Sequence, residues 1–535
     1  MPDDVVGAEV RMLLGDEAVA LAALHSGISA AYAYPGTPAT EILEALAFHG
    51  DKPATWCANE KTAYEQALGM SMAGKRALVS MKHVGLNVAA DPFMNSAVVH
   101  PIGGLVLAVA DDPGMHSSQN EQDSRFYADF ARVPCLEPAD PQQAYDMTRE
   151  AFEVSECFRI PVMLRLVTRI AHQRAGVRTS APREENALAE SDRADWVLLP
   201  GFARRNWRKR IEQRKEIAGW TESSGHNALT LNDSFRELGV ITTGLVRSYF
   251  LEVSAALGLT PSHLHIGAYP IPALLVRQLA DHVSEILVIE EGYPYVERML
   301  RGLIPPFVSI RGKESGDIPA DGELNQEIVW KAFGVEPPHG LAIPMHVAER
   351  PPRLCDGCPH IDAYNALTAV LGEYESPLVT SDIGCYTLGA LPPIGVGQSC
   401  VCMGASIGMA KGAAEAGVRP VVAVIGDSTF LHSGITPLMD AVAGNTNMTL
   451  LILDNDVVAM TGTQPTLLPS SRIADIVRGI GVPPEHCHVF ESHPRRTAEL
   501  TELLRKEIAH GGLSAVIVHR PCIEAARQSR KARAS

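Results

Sequence analysis

The chain has 535 residues, 46% hydrophobic and 20% charged, with a formal net charge of −16, which suits about three or four globular domains. The acidic balance argues against nucleic acid or an anionic membrane as partner. There is no apolar run of about eighteen residues and no basic-then-apolar leader in MPDDVVGAEV, so a cytoplasmic protein with no membrane partner is expected, whose ten cysteines are thiols or ligands rather than a disulfide frame.

Residues 11–40 predict a helix of small apolar residues, a short strand (AAYAY) and a tight turn, Pro35-Gly36-Thr37-Pro38. A turn at a strand end can line a pocket through Thr37, or it can be simple punctuation. Glu60 then opens an Ala- and Gly-rich helix; on the residues alone it is a cap or dipole partner. RALVSMKHVGLN carries Lys82 and His83 at the end of the next strand. The buried run GGLVLAVADD leads into a polar loop, GMHSSQNEQDSR, where Gln119 and Arg125 could meet a carboxylate. Residues 173–235 are charged, with RRNWRKRIEQRK near the middle. Acidic residues interrupt this run, so a solvated linker helix is expected rather than a nucleic-acid surface.

From Glu237 to about Val347 strands and helices alternate again (LGVITTG, LHIGAYP, EILVIEEG), which predicts a further parallel-sheet domain; ITTG is too short to be a phosphate loop. The last domain begins near Arg350. The expected division is therefore 1–172, 173–235, 236–347 and 348–535, a multidomain α/β protein with doubly wound parallel sheets.

The last domain holds the stretch with the most chemistry. VVAVI and TLLIL read as parallel strands buried on both faces. One ends in Gly426-Asp427-Ser428 and the other in Asp454-Asn455, so Asp427 and Asn455 lie 28 positions apart at neighbouring strand ends. Oxygen ligands there suit a hard cation with phosphates beside it; an ordinary βαβ unit with polar strand ends is the alternative. Cys355 and Cys358 form a CxxC, followed by Cys385 and, near the end, Cys522. Such a set could bind zinc, shuttle electrons, cap a structure, or hold an iron–sulfur cluster, which needs four thiolates. Cys400 and Cys402 are expected as packing or a pocket wall, and Cys57, Cys135, Cys157 and Cys487 as core or incidental thiols.

The GD…DN order resembles the thiamine-diphosphate motif, and Thr461-Gly462-Thr463-Gln464 resembles the loop that follows it in 2-oxoacid:ferredoxin oxidoreductases. YPGTPATE, NEKTA, MKHVGLNVAADP, ADDPGMHSSQNEQDSR and PCLEPADPQ resemble the first domain of the indolepyruvate ferredoxin oxidoreductase alpha-subunit family, and the likeness runs over nearly the whole chain. The resemblance implies a pyrimidine-binding domain (1–172), a transketolase-C-terminal-like domain (236–347) and a diphosphate-binding domain (348–535). It implies magnesium held by Asp427, Asn455 and the Val457 carbonyl, with Gly426, Ser428, Thr461 and Gly462 beside the diphosphate. Glu60 would hydrogen-bond the aminopyrimidine ring nitrogen and be the catalytic carboxylate. Cys355, Cys358, Cys385 and Cys522 would hold a [4Fe–4S] cluster.

The implied activity is oxidative decarboxylation of an aryl or branched 2-oxoacid to acyl-coenzyme A, in a catalytic subunit that dimerises and works with a small beta- or gamma-type subunit. Two departures stand out. Related enzymes place an arginine in the loop where this chain has Gln119, with Arg125 a few residues on; Lys82 and His83 are the other candidates for the substrate carboxylate. The family's ferredoxin-like domain, with two CxxCxxC runs, has no counterpart here, so an external ferredoxin or flavoprotein, or another subunit, is expected as acceptor. That departure leaves open a non-oxidative thiamine-dependent decarboxylase or carboligase, or a non-catalytic scaffold.

Overall fold

The computed structural model describes residues 9–50, 52–338, 340 and 352–534. The chain divides into two compact units, Met1–Leu341 and Ala342–Ser535; the expected boundary at 347/348 lies outside the described residues.

The first unit is built on two sheets. The larger has seven strands in the order Ala268–Tyr269, Cys135–Leu136, Val162–Val167, Leu105–Asp111, Ala77–Lys82, Ala30–Ala33, Ala54–Trp56. All its pairings are parallel except that of Ala268–Tyr269 with Cys135–Leu136. Every residue of Leu105–Asp111 is buried, as expected of a central strand with helices on both faces, and this is why it reads as an unbroken apolar run. The second sheet has the order Ser309–Arg311, Glu285–Ile289, Leu238–Thr243, Ser262–Ile266, Asn227–Thr230, the last strand antiparallel. The two sheets share one chain segment: residues 262–269 supply Ser262–Ile266 to one and Ala268–Tyr269 to the other.

The stretch 173–235 is not a solvated linker. Arg174–Arg178 pairs antiparallel with Val10–Leu14, and Asn227–Thr230 is a sheet strand. The basic run does form a helix, Pro200–Ser223, but Arg210 within it is buried and donates to the carbonyls of Phe158 (3.0 Å), Val99 (2.7 Å) and Arg159. A guanidinium has five donors, and here it satisfies carbonyls left at the end of helix Pro141–Phe158.

The second unit has one sheet, all parallel, in the order Leu378–Ser381, Val421–Gly426, Met448–Asp454, Leu513–His519, Cys487–Glu491. The expected VVAVI and TLLIL strands are its second and third. Gly426 sits opposite Leu453 in that pairing, so Asp427 and Asn455 leave the sheet at the same, carboxyl edge.

Candidate functional site

In the first unit, Glu60 is the first residue of helix Glu60–Met72, behind an Asn59 cap whose side chain accepts from the Thr62 amide (2.9 Å). The carboxylate is 5% exposed at the positive end of a helix, where negative charge is favoured. Gly85, in helix His83–Val88, packs directly on it: a Cβ there would lie 2.5 Å from Glu60 Oε1. Lys82 ends the strand Ala77–Lys82, its stem against Gly36 and its amine donating to the Ser117 carbonyl (2.9 Å). Burial pushes this ammonium down to about 8, with Asp112 and Glu60 opposing the shift.

His83 is buried and its Nε2 meets the Asn120 carbonyl at 3.1 Å, so Nε2–H is the donor. Its Nδ1 is then a buried acceptor with no protein partner. The loop that follows Leu105–Asp111 is tethered by Asp112, which accepts from the Ser117 amide (2.8 Å), the Ser118 hydroxyl (2.7 Å) and the Thr168 hydroxyl (2.8 Å). Ser117 also donates to the Thr37 carbonyl (3.2 Å). Thr37, Lys82 and His83 therefore gather with the 117–120 loop at the carboxyl ends of three neighbouring parallel strands, with Glu60 against Gly85. Gln119 is exposed on that loop.

Arg125 does not belong to this group. It is 1% exposed, ion-paired to Asp123 (2.5 Å) and Glu290 (3.1 Å), and donates to the Glu291 (3.0 Å) and Tyr293 (3.3 Å) carbonyls. Beside it, Arg165 pairs with Asp111 (2.7 Å) and Glu137, and Glu137 accepts from the Tyr269 hydroxyl (2.6 Å). The expectation of Arg125 as a carboxylate anchor is corrected: its donors are spent on carboxylates and carbonyls of its own chain.

In the second unit, Asp427 is 4% exposed and accepts from the Ser428 amide (Oδ1, 2.8 Å) and the Asn455 amide (Oδ2, 3.2 Å). Asp454 is equally buried, and its Oδ2 has no protein partner. Burial, then repulsion from Asp454, pushes the Asp427 carboxyl well up, and burial raises that of Asp454. Among the described residues no Lys or Arg ion-pairs with either; the basic group that Asp454 feels is His519, itself held by Asp456 (3.1 Å) and Glu491 (2.9 Å). Asn455 is fixed on three sides. Its Oδ1 accepts from the Val457 amide (3.3 Å), its Nδ2 lies 3.4 Å from His360 Nε2, and its carbonyl accepts from the Cys522 amide (3.1 Å).

The surroundings hold an unspent hydroxyl and close-packed glycines. The Ser428 hydroxyl is shielded and has no protein partner. Asp382 takes the Gly404 (2.9 Å) and Ser406 (3.0 Å) amides at the start of helix Ala405–Glu415. Gly404 has φ +88, and a Cβ on it would lie 2.5 Å from the Ser433 carbonyl oxygen, so the turn demands glycine. Gly426 faces the Tyr386 ring, 2.6 Å from where a Cβ would be. Thr461 is tied to Gln464 (2.6 Å), and Gly462 has φ +134. A buried pair of carboxylates with no Lys or Arg paired to it among the described residues, an adjacent amide oxygen and an orphan hydroxyl fit a divalent cation and its phosphate ligands.

The four expected cysteines lie close enough in the second unit for their charges to be felt by one another. Cys358 and Cys522 are buried, Cys385 is half-buried and Cys355 exposed. Burial pushes the Cys358 thiol up to about 11 and the Cys385 thiol up to about 12, and Cys385 feels thiolate charge from each of the other three. Cys400 and Cys402 are both exposed, so the expectation that they are packing residues is corrected. Three residues with clear positions in this site, His360, Asp454 and Asp382, were given no site role from the sequence. Asp454 was legible in principle as the residue before Asn455; His360 had only its place after the CxxC.

Residues 21–197 match the family described as pyruvate flavodoxin/ferredoxin oxidoreductase, thiamine diphosphate-binding, and residues 382–518 match the C-terminal thiamine pyrophosphate-binding domain of thiamine pyrophosphate enzymes. The indolepyruvate oxidoreductase subunit IorA of Archaeoglobus fulgidus is 37% identical over 97% of this chain and 87% of its own length. The protein of the same name from Methanothermobacter thermautotrophicus is 37% identical over 97% of this chain and 88% of its own. Among solved structures, a 2-oxoglutarate:ferredoxin oxidoreductase from Magnetococcus marinus is similar at 16% identity and TM-score 0.48, covering 57% of this chain and 62% of that one. With thiamine diphosphate-binding domains at both ends and relatives matched over almost its full length, the chain belongs to the indolepyruvate oxidoreductase subunit IorA family.

Proposed function

We propose that this chain is the catalytic subunit of a thiamine diphosphate-dependent 2-oxoacid oxidoreductase that acts on an indolepyruvate or other arylpyruvate. The 2-oxoacid loses its carboxyl as carbon dioxide, its acyl carbon bonds to the sulfur of coenzyme A, and one proton and two electrons are released. Bound thiamine diphosphate supplies the carbon nucleophile and electron sink. The protein's own groups hold and orient. Asp427, Asn455 and the Val457 carbonyl take magnesium, with Gly426, Ser428, Thr461 and Gly462 around the diphosphate. Glu60 would share a proton with the pyrimidine ring nitrogen and so set the tautomer of its amino group. Lys82, with Thr37, His83 and Gln119 near it, meets the substrate carboxylate. Cys355, Cys358, Cys385 and Cys522 hold a [4Fe–4S] cluster that passes electrons to a ferredoxin or flavoprotein, in an assembly with a small partner subunit and a second copy of this chain.

One observation carries the oxidative reading over a simple decarboxylase. The four cysteines converge in the same unit as the cation clamp, and the Cys522 amide is hydrogen-bonded to the Asn455 carbonyl.

The test is anaerobic purification with iron and sulfide analysis, then assay against a panel of 2-oxoacids with an artificial electron acceptor, with and without coenzyme A. About four iron and four sulfide per chain and acceptor-dependent carbon dioxide release are expected, with aryl substrates fastest. An iron-free protein that releases carbon dioxide without any acceptor would overturn the reading.

A further inference from the structure

The carboxamide of Asn455 can present either its oxygen or its nitrogen to a cation, and only the oxygen is a ligand. Something must choose. His360 is 3% exposed and its Nε2 lies 3.4 Å from Asn455 Nδ2. Between an amide nitrogen, which only donates, and an imidazole nitrogen, the hydrogen bond exists only if Nε2 is the bare acceptor. That pairing commits Nδ2 to the ring and leaves Oδ1 on the other side. The ring is itself held: it opens helix Pro359–Leu371 and stands edge-on to Tyr386, centroids 6.0 Å apart at 86°. Tyr386 in turn is fixed by its hydroxyl on the Ile383 carbonyl (2.9 Å).

We infer that His360 is a positioning residue: by accepting from Asn455 Nδ2 it holds the carboxamide with Oδ1 toward the cation. The inference rests on Asn455 being a magnesium ligand. It adds a link between two parts of the unit. His360 follows Cys358 by two positions, and Cys522 donates its amide to the Asn455 carbonyl. Asn455 is thus braced on one side by the CxxC segment and on the other by the Cys522 segment, so the parts of the chain that carry the thiols also set the geometry of the clamp. Residues that orient a ligand in this way characteristically change metal affinity when replaced.

The pair H360Q and H360N tests this, because a glutamine carbonyl can reach the Nε2 position and an asparagine carbonyl cannot. Magnesium is titrated calorimetrically into the full chain with saturating thiamine diphosphate, beside N455A and with thermal midpoints taken without ligand. H360N is expected to bind magnesium about 10- to 100-fold more weakly at an unchanged ligand-free midpoint, H360Q to stay close to the parent, and N455A to be at least as weak as H360N. Magnesium binding by H360N at the parent affinity would overturn the role of His360, as would equal weakening in both variants. Parent-like magnesium binding by N455A would instead overturn the reading of Asn455 as a ligand. Should H360N fail to fold, H360A with added imidazole decides: restored magnesium affinity supports the inference, and no restoration overturns it.

Discussion

Two groups of buried carboxylates in this molecule look alike in sequence and differ in what stands beside them. In the first unit, Asp111, Asp123, Glu137 and Glu290 surround Arg125 and Arg165, which ion-pair with all four. In the second, Asp427 and Asp454 face each other with no Lys or Arg paired to either among the described residues. Burying charge is costly unless it is compensated. The first group carries its compensation in the chain and is structural: it ties residues 111–137 to residues 290–293. The second, among the described residues, has only His519 near Asp454 and no Lys or Arg, at a sheet's carboxyl edge, where ligands bind. The contrast teaches that burial of acids is no sign of function by itself; the absence of a built-in counter-charge is.

The comparison can be broken at several points. Replacing Arg165 by Met would strand Asp111 and Glu137, and unfolding in denaturant should show a loss of about 3–5 kcal/mol. A loss under ~1 kcal/mol would mean that the network is not a structural strut. Glu60 is a third kind of buried acid, set at a helix start against Gly85. E60Q should lower turnover about 10²- to 10⁴-fold while thiamine diphosphate binding, followed by calorimetry, stays within about threefold; wild-type turnover would remove Glu60 from the pyrimidine site.

A smaller effect concerns Lys82, whose ammonium burial holds down to about 8. Because its folded pKa lies below the unfolded value, the folded chain binds fewer protons between about pH 8 and 10.5, so this group's destabilising effect shrinks as pH rises through that window. Its charge is lost over the same rise. If Lys82 meets the substrate carboxylate, KM should increase about tenfold per pH unit above that value, and K82M should flatten the profile at a high KM. A KM that stays level to pH 9.5 would exclude Lys82 as the anchor.

Much of the second unit was legible in the sequence because its central strands are buried on both faces and read as unbroken apolar runs, with Asp427 and Asn455 marking their ends. The convergence of Cys355, Cys358, Cys385 and Cys522 was legible only through resemblance, since Cys522 lies 137 positions beyond Cys385. Arg125 misled because, besides the neighbouring Asp123, it pairs with Glu290, 165 positions away just past the strand Glu285–Ile289, and no local pattern signals a long-range ion pair. The 173–235 stretch misled for a related reason: its charged composition is that of a solvated helix, yet single residues such as Arg210 turn inward to cap carbonyls. Cys400 and Cys402 sit in an irregular segment, where periodicity carries no information about burial.

The central claim is that the Asp427–Asp454 pair, which no Lys or Arg ion-pairs among the described residues, binds a divalent cation. The thermal midpoint of wild type and D427N, each with thiamine diphosphate and with or without magnesium, tests it most directly. The account predicts that wild type rises only with both ligands present, by about 2.7 kcal/mol of stability at a hundredfold excess over Kd, and that D427N without ligands is no less stable than wild type but gains nothing from magnesium. Equal stabilisation of D427N by magnesium and thiamine diphosphate would contradict it.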